Sequence, residues 1–296
     1  MMASHLPHES CLMRGLKRMG LKRLAWSLRR LYCPVSRDAL VLEVGSGGNP
    51  YARANVLMDA YECTRERHWA PLVSDRPTAL GFVERLPFKD QYFDFVIASH
   101  VLEHSTDPER FLSEIQRVGK AGYIEVPDAF FERLNPYKDH RLEITCTNNR
   151  LVIRKKKAWV QDQEVVDLYE NRVNVLFATR LIPENPFDFH VRYYWQDTID
   201  FTVLNPAYTI AWDPDPVVPG ETNKVGISIK GRINAFVLSV FRFLFSQRTR
   251  NKNLDIFDML ICPECGSEDL RRKNDELVCG SCASLYAVKN GIPKMI

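Results

Sequence analysis

The sequence predicts a doubly wound, mostly parallel α/β sheet followed by a small metal-binding domain, and three observations carry that prediction. Short apolar runs recur from Ala39 onward ("LVLEV", "NVLMD", "ALGFV", "FDFVIAS", "AGYIEVP"), the pattern of parallel strands buried on both faces. The helix-forming segment "TDPERFLSEIQRVGK" lies between the last two, so strands and helices alternate. Two tight cysteine pairs, "CPEC" at 262–265 and "CGSC" at 279–282, then close the chain in a different style.

Taken in order, residues 1–36 read as a basic helical extension, with Arg14, Arg18, Lys22 and Arg29 on one side and Leu12, Leu16, Met19 and Trp26 on the other. It packs over the core domain in the simplest reading, with membrane or RNA contact as the alternative. It lacks the continuous apolar core of a secretory signal, no apolar run reaches the roughly 20 residues a spanning helix needs, and a reducing cytoplasm is the expected compartment. The 40 basic and 37 acidic residues leave a net charge of +3, so attraction to any polyanion has to come from local clusters.

Residues 37–229 form the predicted α/β domain. Asp107 or Thr106 caps its clearest helix, Pro108 suits the first turn, and Phe111, Leu112, Ile115 and Val118 give an apolar stripe. An insertion or substrate cap is expected at about 129–200, including a hairpin that turns at Asn148–Asn149. Residues 230–253 are an amphipathic helix and linker. At 233–246 its large apolar face, with basic residues at both ends, suits either an interfacial membrane contact or packing on the protein itself. Residues 254–296 are the metal-binding domain.

Gly45, Gly47 and Gly48 end the first strand, where the backbone can turn sharply and a ligand can come close. Pro50 stands where a dinucleotide fingerprint needs glycine, and Asp59 arrives far too early for its acidic partner, which disfavours an NAD enzyme. A carboxylate ending the second strand can still accept bonds from both hydroxyls of a ribose.

"VLEVGSGGNP", followed by "ERLPFKDQYFDFVIASHVLEHSTDPERFLSEIQRV", resembles the class I methyltransferases of the type 11 family, which use S-adenosylmethionine (SAM). The resemblance covers roughly the first 130 residues and implies a Rossmann-like fold and SAM as cofactor. It places Glu43, Gly45, Ser46 and Gly47 around the methionine part, Asp59 at the ribose, and Val83, Glu84 and Leu86 beside the adenine. Ser99 and His100 would face the sulfonium. Phe82 stands where many relatives carry an Asp, so the adenine contact has to come from elsewhere. His100, His104, Asp128 and His140 are the candidate catalytic residues, by position only.

Cys262, Cys265, Cys279 and Cys282 offer four thiolates at nearly zinc-ribbon spacing, which fits a structural zinc site with no open position. Redox dithiols are the alternative. The segment from Asp258 to Ile296, through its cysteine pairs, Tyr286 and Gly291-Ile292-Pro293, resembles the zinc-ribbon activator subunit of tRNA and rRNA methyltransferases. Fused to a methyltransferase, such a module would pack on its own enzyme domain.

Three functions stay open. The first is methyl transfer to a small-molecule or lipid- or glycan-linked acceptor, with peripheral membrane contact through 233–246. The second is methylation of RNA or a translation factor, through basic residues at 14–30 and 154–157. The third is a zinc-stabilised scaffold with a vestigial methyltransferase fold.

Overall fold

A computed structural model describes residues 8–212, apart from 65, 66, 68, 69, 135, 160 and 161, together with 236, 239, 240 and 243–296. Its strands in chain order are β1 (Val41–Val44), β2 (Val56–Asp59), β3 (Thr78–Leu80), β4 (Phe95–Ser99), β5 (Ala121–Pro127), β6 (Leu142–Thr147), β7 (Arg150–Lys155), β8 (His190–Gln196) and β9 (Phe201–Val203). Four short strands follow near the C-terminus: β10 (Leu270–Lys273), β11 (Glu276–Cys279), β12 (Leu285–Lys289) and β13 (Ile292–Pro293). The main sheet runs 3-2-1-4-5-8. Its neighbours are parallel except β5 and β8, which pair antiparallel along seven residues. The order reverses between β1 and β4, so the crevice outside their carboxyl ends is the topological switch point where such sheets bind ligands.

The N-terminal extension forms two helices, α1 (Cys11–Arg18) and α2 (Lys22–Leu28), because Gly20 takes a φ of 76° that ends the first one. Ser10 caps α1 by accepting from the Met13 N–H at 3.1 Å. The break turns the apolar stripe away from the single-helix expectation: Met13, Leu16 and Ala25 are buried, whereas Leu12 and Met19 are 62% and 66% exposed.

The connection from β1 to β2 has no helix. Tyr51 drops into that gap and is buried against Val41, Phe95, Ile97 and Tyr123, with Cys33 and Val35 packed alongside. The filler is therefore the loop's own tyrosine and the segment that follows α2, while α1 and α2 pack toward Phe187. Arg76 secures the shortened crossover by donating to the carbonyls of Tyr51, Ala52 and Ala54, the last at 2.7 Å. The Asn55 amide donates to Gln247 and Asn251 of the C-terminal half at 2.9 and 2.8 Å.

Helix α3 (Pro108–Val118) follows β4, its N-terminus capped by Asp107 from the Arg110 N–H and its apolar stripe buried. Helix α4 (Ala129–Leu134) follows β5. Strands β6 and β7 form a hairpin whose turn residues Asn148 and Asn149 both have positive φ, as a type I′ turn requires, and β9 adds to β7 in parallel. Helix α5 (Gln163–Leu168) runs into π-helical turns, and the rings of Phe131, Tyr169, Phe177 and Phe189 gather beneath it.

Strands β10 to β13 form an antiparallel sheet that docks on the edge of the main one. Lys294 bridges to Leu80 of β3 in parallel, the Met295 N–H donates to the Leu80 carbonyl at 2.7 Å, and the Ile261 N–H donates to Pro87 at 3.0 Å. Phe88, Met259 and Leu260 are buried in the same core, each burial contributing about 1.5–3 kcal/mol. The segment 233–246 lies partly outside the described residues; of those described, Phe236, Phe243, Leu244 and Phe245 are exposed. Among the described residues no helix is long and apolar enough to cross a membrane.

Candidate active site

The carboxyl end of β1 carries the glycine loop. Gly45 and Gly47 have φ of 64° and 56°, and a Cβ on Gly45 would lie 2.0 Å from Val101 Cγ2. Gly45→Ala is expected to cost about 2–4 kcal/mol, from left-handed strain plus overpacking, as read by urea unfolding. The Gly47 N–H donates to Asp59 Oδ2 at 2.9 Å, tying the loop to the end of β2. Ser46 is buried and its hydroxyl makes no hydrogen bond among the described residues.

Glu43 lies wholly within the sheet, accepting from the Tyr51 N–H at 2.7 Å. Burial pushes its carboxyl up to about 8, against the opposing charge of Arg30. Asp59 is 6% exposed and its second oxygen accepts from the Tyr61 N–H and from Arg67 Nη1, the latter at 2.6 Å. Arg67 also donates to the Tyr61 carbonyl at 2.7 Å, so the loop after β2 folds back over the carboxylate.

Beyond Asp59 opens a cavity of about 790 Å³, lined by Tyr61, Phe82, Val83, Glu84, Val101 and His104 among others. Tyr61 and Phe82 meet edge to face with centroids 6.0 Å apart. Glu84 accepts from the Ser105 hydroxyl at 2.5 Å, while Leu86 is buried in the core and is absent from the lining. Arg110 and Arg141 border the cavity, and Pro263, Glu264, Met295 and Ile296 of the small domain close one side.

Ser99 and His100 stand at the end of β4. His100 has a φ of 58°, with Nδ1 3.4 Å from Glu103 and Nε2 3.4 Å from Glu125. Burial would lower its basicity, but bonding to the two carboxylates outweighs it and raises the ring to about 9. Glu125 is completely buried and binds Arg29 through both oxygens, at 2.8 and 3.0 Å, and receives the Ser99 and Tyr123 hydroxyls. Burial opposes its ionisation, yet His100 and Arg29 hold its carboxyl well below the usual range.

Of the candidate catalytic residues, Asp128 caps α4 through the Phe130 N–H and accepts from the Thr145 hydroxyl, both at 2.8 Å. His104 and His140 lie together, their rings 4.9 Å apart, while His100 faces Glu103 and Glu125. Glu125, Arg29 and Arg67 escaped the sequence reading. A glutamate inside the otherwise apolar run "AGYIEVP" was the available signal for the first, whereas nothing local marks the two arginines.

The small domain brings Cys262, Cys265, Cys279 and Cys282 together, every sulfur within 4.8 Å of the others. Two pairs are 3.6 and 3.5 Å apart, close to the roughly 3.8 Å edge of a tetrahedron with bonds of about 2.3 Å. The two knuckles share one backbone pattern. Cys262 N–H donates to Ser267 and Gly266 N–H to Cys262, and Cys279 N–H donates to Ser284 and Ala283 N–H to Cys279. The Tyr286 hydroxyl packs 3.1 Å from Cys262 Sγ.

A family model described as "Methyltransferase domain" matches residues 42–124, which span β1 to β5 and hold the glycine loop, Asp59 and the His100 turn. By this match residues 42–124 are a methyltransferase domain. Solved structures similar to it include a SAM-dependent methyltransferase from Thermotoga maritima, 22% identical, covering 43% of this chain and 69% of that one with a TM-score of 0.32. Another is a complex between the Haloferax volcanii Trm112 methyltransferase activator and a methyltransferase, 17% identical, covering 45% and 74% with a TM-score of 0.30. A third, a SAM-dependent methyltransferase from Mesorhizobium loti, is 10% identical and covers 58% and 96% with a TM-score of 0.34. No curated protein sequence matches the chain. The matched segment contains both strands that flank the sheet's switch point, β1 and β4.

Proposed function

We propose that this methyltransferase domain passes the methyl group of SAM to a small-molecule or lipid- or glycan-linked acceptor, and that the four-cysteine site holds a structural zinc ion. The observation that carries the reading is the cavity of about 790 Å³ at the carboxyl ends of the strands, within the size range of small-ligand sites and closed on one side by the small domain.

SAM supplies an already activated methyl group when bound. The chain's part is to hold it: the glycine loop gives close backbone approach, and the buried Ser46 hydroxyl offers an unused donor. Asp59 would take the ribose once Arg67 lets go of it, and Tyr61 and Phe82, with Val83 and Glu84, would flank the adenine in place of an aspartate contact. Positioning supplies much of the rate in such transfers. With its ring raised to about 9, His100 is protonated at neutral pH and serves to position Glu103 and Glu125 rather than to accept a proton. Asp128 is committed to capping.

Titration of the full chain with SAM in a calorimeter tests the reading. Saturable heat is expected, weakened about tenfold or more in Asp59→Ala and strengthened in Arg67→Ala, where a competing cation is removed. Absence of both heat and thermal stabilisation overturns it in favour of a scaffold. RNA affinity that falls steeply with salt would move the acceptor to RNA, and failure to float with liposomes would remove the lipid-linked class.

A further inference from the structure

We propose that Glu103, His104 and His140 form a binding site for a divalent transition-metal ion at the wall of the cavity, separate from the four-cysteine site. The donor set is two imidazoles and one carboxylate, and one ligand atom from each lies within 4.8 Å of the others. Two bonds of about 2.1 Å reach at most about 4.2 Å, so any pair at the outer end of that range would have to close by roughly half an ångström.

The chain assembles this cluster from two distant segments. Glu103 and His104 sit on the 3₁₀ turn after β4, and His140 precedes β6. Backbone bonds lock the segments together: the Arg141 N–H donates to the Glu103 carbonyl at 2.7 Å, and Arg141 Nη1 donates to the His104 carbonyl at 2.9 Å.

Both imidazoles are already oriented as metal ligands are. His104 Nδ1 bonds the Asp139 carbonyl at 3.0 Å, and His140 Nδ1 bonds Glu132 Oε2 at 2.6 Å, which would make Nε2 the metal-binding atom of each ring. Glu132 is itself 4% exposed and fixed by Lys156 and by the Tyr137 N–H. A carboxylate behind a histidine both fixes its tautomer and raises its donor strength.

The second, independent observation is Glu103. It is 2% exposed, and neither carboxylate oxygen makes a hydrogen bond of normal geometry among the described residues. Among the described residues its ion-pair contact is His100 Nδ1, at 3.4 Å. With the protonated His100 ring facing it at 3.4 Å and no hydrogen bond of normal geometry on either oxygen, this buried carboxylate keeps lone pairs that a second cation would engage. Without thiolates, the set suits Mn²⁺, Fe²⁺, Co²⁺ or Zn²⁺. Three protein ligands leave positions open, and since His104 lines the cavity those positions serve water or an oxygen-bearing ligand within it.

The test uses the full chain loaded with one equivalent of zinc, which the four thiolates take first, and then dialysed to equilibrium against Mn²⁺, which thiolates bind poorly. Two ions per chain are expected, one zinc and one manganese. Glu103→Gln and His140→Gln should retain only the zinc, and Glu132→Gln should weaken Mn²⁺ binding about 10- to 100-fold. Circular dichroism of each variant shows that its fold persists. No manganese bound to the unmodified protein, or undiminished manganese in both folded ligand variants, overturns the proposal. Because the readout is the metal alone, its failure leaves the SAM reading untouched.

Discussion

Glu125→Ala is expected to destabilise the protein by about 3–5 kcal/mol, among the largest single-residue effects in the methyltransferase domain. Arg29, with its side chain only 10% exposed, is left without its carboxylate, and so are the Ser99 and Tyr123 hydroxyls. Removing one partner of a buried pair costs more than the pair ever contributed, since an uncompensated charge stays behind. The double variant Arg29→Met with Glu125→Gln should recover much of the loss, and urea unfolding of the three proteins measures it. The effect also has a pH signature. His100 titrates at about 9 in the folded chain against roughly 6.5 unfolded, so its contribution is complete below the lower value and lost as pH rises through the upper one. Without Glu125 the ring loses one of its two carboxylates, and the alkaline loss of stability should begin at lower pH.

Cys279→Ser, or stripping the proposed zinc with a chelator, is expected to unfold the small domain cooperatively. Structural zinc in small domains contributes on the order of 10 kcal/mol, and four short strands with a few buried side chains have little else to hold them. The damage should reach the methyltransferase domain, because Met295, Ile261 and Leu260 pair with or pack on Leu80, Pro87 and Phe88. A lowered thermal midpoint for the main transition, with loss of SAM binding through the cavity wall at 263–264 and 295–296, is the measurable outcome. An unchanged main transition would show that the two domains are energetically independent.

The parallel strands, the α3 cap and the Asn148–Asn149 hairpin were legible because each is set by residues near one another in sequence. The same is true of the glycine loop and of the cysteine knuckles, whose spacing alone fixes the geometry. What escaped depended on long-range placement. Arg29 and Glu125 are 96 residues apart and meet only because the N-terminal segment crosses the end of β5. Arg67 reaches Asp59 through a loop with no periodic signal. The apolar stripe of the N-terminal extension departs from the periodicity of one continuous helix because Gly20 divides the segment in two.

The bridge between Leu80 and Lys294 bears on how the chain is made. Strand β3 is the outer strand of the main sheet, and its covering partner Lys294 emerges from the ribosome 214 residues after Leu80, some 10–40 s at ordinary rates of synthesis. Through that interval a bare edge of unpaired N–H and C=O groups invites pairing with other nascent chains. Metal supply during translation would then govern yield as well as final stability: zinc-starved expression should divert the protein into aggregates while the same sequence made with zinc stays dispersed.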